Sequence, residues 1–148
     1  MPVIYENYGC GAFNLAKFEP IKNRWLFNKP KGGFWASAKD DEWGWAAFCV
    51  RENYRTISED NVFRFTLKPD AKILLLDDPD LFFELPEKKT DKAEEECRRT
   101  FPFYPDFEEL AKKYDVIDCR IDCGVDACLP MWDVNCILVM NPDVICPA

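Results

Sequence analysis

The segment Asn28-Lys29-Pro30-Lys31-Gly32-Gly33-Phe34-Trp35-Ala36-Ser37 constrains this chain more than any other stretch. Gly32 and Gly33 reach backbone conformations closed to other residues, and they allow close approach to the main chain. Phe34 and Trp35 follow at once, with large apolar faces to offer. Two readings fit: a tight turn feeding a buried strand, or a turn against which a ligand sits. A second aromatic pair, Trp43 and Trp45, lies a few residues on in Asp41-Glu42-Trp43-Gly44-Trp45. Two Trp-bearing segments so close together favour a shaped pocket.

The 148 residues suit one domain, 1–148, with a core that needs no metal or disulfide to hold it. A hydrophobic fraction of 48% and an aromatic fraction of 15% indicate a folded globular chain. Apolar runs such as Ile73-Leu74-Leu75-Leu76 are far short of a bilayer span, so no membrane partner is expected. Met1 to Glu6 carries neither a basic leader nor an apolar signal core, and the expectation is a cytoplasmic protein.

The net charge of -8 argues against nucleic acid as a partner, because phosphate affinity comes from clustered Lys and Arg. Lys17, Lys22, Arg24, Lys29 and Lys31 are read as solvated charges on a polar loop, and small anionic ligands stay compatible with the charge. There is no histidine, which removes Ser-His and Cys-His nucleophiles and imidazole bases or ligands. Chemistry must then rest on carboxylates, hydroxyls, thiols or binding geometry. Of eight cysteines, Cys119, Cys123 and Cys128 cluster as C-x3-C-x4-C, which is not the paired C-x2-C of common zinc sites. Buried free thiols are the expectation; a disulfide, or a four-thiolate site drawing on Cys136 or Cys146, is the alternative.

Pattern reading gives an α+β chain: a compact domain with a split, mainly antiparallel sheet and two or three short helices. Strands are expected at Val3–Tyr8, Gly33–Ser37, Asn61–Leu67, Ile73–Leu76, Asp115–Cys119 and Val134–Met140. Ile73–Leu76, apolar on both faces, is expected to be central and to pair with Asn61–Leu67 as a hairpin. Leu15–Phe27 reads as a loop with one helical turn. A helix is expected from Asp40 or Asp41 to about Glu52, weakened by Gly44, and a short one after the Asp77-Asp78-Pro79-Asp80 cap. Residues 86–100 read as an exposed charged loop or solvated helix, and Phe101–Pro105 as an extended, sticky segment. Asp106–Tyr114 carries a capping box, Asp106 with Glu109, and an inner face of Phe107, Leu110, Ala111 and Tyr114.

Three of these elements together resemble the ADP-ribosyltransferase superfamily, in its poly-ADP-ribose-polymerase-like and diphtheria-toxin-like branch. Asn7-Tyr8-Gly9 stands where that branch has a His-Gly motif, and Gly33-Phe34-Trp35-Ala36-Ser37 resembles its Gly-x-Tyr-(Phe/Thr)-(Ala/Ser/Thr) strand, with Trp35 in the tyrosine's place. Asp133, ahead of Val134–Met140, stands for the catalytic glutamate that opens a C-terminal strand. The resemblance implies an ADP-ribosyltransferase-like fold, NAD as substrate, and transfer of ADP-ribose to a protein target. Such a chain would act as a toxin, effector or phage modifier. It further implies that Asp133 is catalytic and that Asn7, Tyr8, Gly33, Trp35 and Ser37 bind NAD. On this reading Asp133 stabilises positive charge developing on the ribose, Trp35 stacks on the nicotinamide, and the glycine amides meet the carboxamide or a phosphate. The bland counterparts are Trp35 as core, Asp133 as a turn residue, and Asp40, Asp41 and Glu42 as helix caps. A different class of function fits the composition too: a catalytically silent acidic module that binds another protein through an aromatic groove.

Overall fold

Short strands separated by turn residues form a single mixed sheet, and the computed structural model describes it over residues 1–25, 27–97, 103–125, 128–129 and 132–148. Seven strands lie among these residues: β1 (Tyr5–Tyr8), β2 (Phe34–Ala38), β3 (Val62–Leu67), β4 (Ile73–Leu76), β5 (Val116–Cys119), β6 (Cys136–Val139) and β7 (Ile145–Pro147). Four short α-helices accompany them: α1 (Trp45–Arg51), α2 (Pro79–Phe82), α3 (Lys92–Cys97) and α4 (Phe107–Lys113). The sheet order is β4-β5-β6-β2-β1-β3-β7. Only β4 and β5 run parallel; every other neighbouring pair is antiparallel.

Alternation assigns the strand residues to two cores, one on each face. On one face Trp35, Ile117, Cys119, Cys136 and Leu138 pack with Phe82 of α2, Phe107 and Leu110 of α4, and Trp132. On the other face Tyr5, Phe63, Phe65, Val116, Ile137 and Val139 form the second core. Helix α4 docks through Phe107 and Leu110 because those positions repeat at helical spacing. Its cap is Asp106, whose side chain accepts from the Glu109 amide at 3.1 Å, a contact worth about 1 kcal/mol.

Several elements differ from the sequence reading, each for a visible reason. The β3–β4 hairpin does not form: β3 lies between β1 and β7, while β4 crosses to the far edge and pairs with β5. Nor is β4 central, since its apolar run leaves Ile73 and Leu75 each 44% exposed. An uninterrupted apolar run shows only that both faces are apolar, not that both are covered. Helix α1 begins at Trp45 and not after Asp40 or Asp41, because Gly44 has extended backbone, with ψ of -178°, and so interrupts any helix running on from those residues. Within 86–97 the chain forms α3, and two of its charged residues are buried as an ion pair, Lys88 with Glu94. Lys88 also donates to the Arg24 carbonyl at 2.8 Å, which draws the charged segment onto the body. Residues 98–102, including part of the expected Phe101–Pro105 segment, lie outside the described residues; Glu87 and Pro105 form an isolated bridge.

Candidate functional site

The sheet opens between β1 and β2. Their ladder holds only Tyr5 with Ala38 and Glu6 with Ser37, whereas β1 pairs with β3 over four residues. Beyond Glu6 a side chain replaces the ladder: the Asn7 amide Nδ2 donates to the Trp35 carbonyl at 2.6 Å. Ser37 fixes the other side of the opening. Its hydroxyl donates to the Asn135 carbonyl at 2.8 Å and accepts from the Trp45 amide at 3.0 Å, so one side chain ties β2 to the start of α1 and to the turn before β6. Gly44, the residue at the helix N-terminus, has no side chain to cap with, and Ser37 supplies the acceptor in its place.

Against this opening lies a cavity of about 220 Å³ lined by Asn7, Tyr8, Trp35, Ser37 and Asp133, together with Glu6, Lys29, Trp45, Arg55, Trp132 and Cys136. Five of the six residues assigned from the sequence therefore meet at one place. Strand geometry accounts for three of them: Tyr8, Trp35 and Ser37 share one sheet face with Glu6 and Cys136 through the β1–β2 register and the β2–β6 pairing.

The sixth residue, Gly33, has another job. Its amide donates to the Glu19 carbonyl at 2.8 Å, and a Cβ there would fall 2.5 Å from Leu138 Cδ1 and 2.9 Å from the Val139 carbonyl oxygen. Gly32 is tighter still, with a Cβ position 2.2 Å from the Pro20 carbonyl oxygen. Both have positive φ. The glycine pair lets the chain's own segments close on one another: residues 19–21 and β6 take the approach it opens, and the Gly33 amide is already bonded to the Glu19 carbonyl.

The remaining side chains divide into committed and uncommitted groups. Asn7 is committed at both ends, since its Oδ1 accepts from the Cys10 thiol at 3.2 Å. Ser37 is 4% exposed and has donated its one proton. These two hold the walls in position. Trp35 stands edge-on to Trp132, ring centres 4.8 Å apart, and Lys29 Nζ lies 4.7 Å over its ring. Trp132 is pinned by donation from its indole nitrogen to the Asn28 carbonyl at 2.9 Å.

No family model, curated protein or solved structure matches this chain.

What the cavity can do rests accordingly on its own charges and rings. Glu6 is a buried carboxylate neutralised by Arg64 at 2.8 Å, with the Tyr8 hydroxyl donating to its other oxygen at 3.1 Å. Arg64 also binds Glu59, and the two carboxylates hold the guanidinium above its ordinary pKa. Burial, and after it the Glu6 carboxylate, raises the Tyr8 phenol. Asp133 is exposed at the mouth and makes no hydrogen bond or ion pair among the described residues. Lys29 and Arg55 likewise form no salt bridge among the described residues, and each lies over an aromatic ring, Trp35 and Tyr54 respectively. Cys136 forms part of the floor as an inert thiol, pushed up to about 12 by burial. The cavity thus combines aromatic walls with two cations that form no salt bridge and one carboxylate that has no polar partner among the described residues.

A second cavity of about 490 Å³ shares Glu6, Tyr8, Ser37 and Trp45 with the first and continues over Lys39–Glu42, Ala46, Ala47 and Val50 of α1, and Ile57. Trp43, paired with Trp45 in the sequence reading, is 47% exposed and lines neither cavity. Glu6, Trp132 and Arg55 were not singled out by sequence. Glu6 and Trp132 sit beside Asn7 and Asp133, so their neighbours signalled the place; nothing in the sequence around Arg55 does so. Among the described residues no group of three or more Cys, Asp or Glu is placed to hold a metal ion, and no helix is long and apolar enough to cross a membrane.

Proposed function

We propose that this chain is an NAD-binding, ADP-ribosyltransferase-like protein that acts on a protein target in the cytoplasm, as a toxin, effector or phage modifier. The observation that carries the reading is the convergence of Asn7, Tyr8, Trp35, Ser37 and Asp133 on one cavity at an opening in the sheet. Trp35 supplies a ring for the nicotinamide, and Lys29 and Arg55 supply charge for a diphosphate. Asp133 supplies the anion for the positive charge that develops on the ribose as the glycosidic bond breaks. Such a charge interaction lowers the barrier because it is stronger in the transition state than in the ground state. Asn7 and Ser37 act as positioning residues, because their polar atoms already bind the chain itself.

The test is titration of NAD into the protein followed by tryptophan fluorescence, with transfer of labelled ADP-ribose to lysate proteins measured in parallel. Trp35→Ala is expected to weaken binding by about 5- to 150-fold, the range of one lost base–aromatic stack. Asp133→Ala is expected to keep binding and lose transfer. Absence of NAD binding by the wild type at millimolar concentration sinks the proposal.

One observation favours a second reading, the silent interaction module. Trp25, Trp43 and Tyr54 are exposed and lie outside the cavity lining, and they are residue types that protein interfaces favour. Recovery of a stable protein partner, with no NAD binding, selects this reading.

A further inference from the structure

We propose that the loop closed by Lys22 and Lys31 is a membrane-surface contact, which lays Trp25 and Phe27 into the headgroup layer of an anionic bilayer. Lys22 and Lys31 form an isolated antiparallel bridge, each amide donating to the other's carbonyl, at 3.1 and 2.9 Å. The chain between them is held from both sides. On one side the Asn23 amide and side-chain nitrogen donate to Glu108 and Asp106, and Lys88 donates to the Arg24 carbonyl at 2.8 Å. On the other side Asn28 is fully buried, and its carbonyl accepts from Trp132. Between these anchors Trp25 is 53% exposed and Phe27 is 40% exposed. An anchored backbone thus displays the two rings to solvent.

The charge of this loop is opposite to that of the chain. From Pro20 to Lys31 there are four cations, Lys22, Arg24, Lys29 and Lys31, and no carboxylate, in a protein of net charge -8. The carboxylates of Asp106 and Glu108 beside the loop are engaged by Asn23, and Glu108 also lies 3.9 Å from Lys22. Arg24 and Lys31 form no ion pair among the described residues, and Arg24 lies over the Phe27 ring at 4.7 Å.

An anionic bilayer is the partner this pattern fits. Aromatic rings settle at the headgroup level, and anionic lipid attracts each Lys or Arg held near it. The run Trp25-Leu26-Phe27 is apolar at every position, which suits immersion in a layer of no fixed shape, whereas a protein groove would need a matching contour. Single-stranded nucleic acid binds by stacking bases on open ring faces, and Arg24 already covers one face of Phe27. The acidic remainder of the chain is repelled by the same lipid, which turns the molecule loop-first towards the surface. The expectation of no membrane partner rests on the lack of a spanning run, and a loop lying in the interface needs none.

The experiment is flotation of the full chain with vesicles of phosphatidylcholine, alone or with one third phosphatidylglycerol, at low and at physiological salt. Brominated lipid in the same vesicles reports tryptophan insertion by quenching its fluorescence. The expected result is binding to the anionic vesicles alone, weaker as salt rises, with part of the tryptophan emission quenched. Trp25→Phe is expected to bind still and to lose that quenching. Lys31→Ala is expected to weaken binding about fivefold, equivalent to about 1 kcal/mol for one cation at the surface. Lys22→Ala provides the same measurement should the Lys31 variant fail to fold. A wild type that stays off anionic vesicles at low salt, whether or not it binds a single-stranded oligonucleotide, overturns the proposal. So does vesicle binding that the lysine substitutions leave unchanged, or quenching that persists in Trp25→Phe.

Discussion

Removing the Ser37 hydroxyl tests the account of how the site is held. Ser37→Ala creates no cavity, but it strips partners from two groups at once: the buried Asn135 carbonyl and the Trp45 amide in the first turn of α1. Leaving a buried polar group unpaired costs about 1–3 kcal/mol, and losing a helix cap about 0.5–2 kcal/mol. The expected loss is therefore about 2–4 kcal/mol, a large part of the roughly 5–15 kcal/mol by which domains of this size are stable. Urea unfolding followed by circular dichroism should show a lower midpoint with an unchanged slope, the mark of a native-state effect. Ser58→Ala provides the comparison: its hydroxyl accepts from the Asp60 amide at 3.2 Å in an exposed turn, and its loss should cost about 1 kcal/mol or less. If Ser37→Ala came within about 0.5 kcal/mol of wild type, the bridging role of Ser37 would be refuted, and with it the claim that β2, α1 and the turn before β6 are fixed through one atom.

Gly32→Ala should destabilise by more than about 3 kcal/mol, since left-handed strain adds to overlap with the fixed Pro20 carbonyl, whereas Gly124→Ala, with only Pro79 Cγ at 3.6 Å, should cost about 1–2 kcal/mol in thermal unfolding. Asp115 joins β4, β5 and β6 by accepting from the Lys72 amide at 2.8 Å and the Asn141 side chain at 2.9 Å, and these bonds hold its carboxyl below the usual range. A lowered folded-state value means the stabilisation is present above the unfolded pKa and is lost as pH falls through the folded one. Asp115→Ala should accordingly cost about 1–2 kcal/mol at neutral pH, and its gap to wild type should narrow below about pH 4 in acid unfolding curves; a constant gap refutes the assignment.

Much of the local structure was legible because its causes are local. Asp106 and Glu109 announce the start of α4, Asp78 caps α2, and alternation marks β3. That β1, β2 and the Asp133 turn would meet was expected only as an implication of the family resemblance carried by three short motifs. Strand partnership was not readable, because which strand lies beside β3 depends on residues far along the chain; the C-terminal β7 took the place expected of β4.

The sequence by itself determined that this is an α+β domain without imidazole chemistry, and it located Tyr8, Trp35 and Trp45 of the four aromatic residues that line the cavity. Only the tertiary structure decided what each polar group does. Asn7 and Ser37 carry the right atoms for a ligand, yet β2, α1 and the turn before β6 claim those atoms first. The glycines open the main chain, yet the segment ending at Ile21 fills the space. Hydrogen-bonding capacity is a property of a residue, whereas its availability depends on which other parts of the chain fold against it.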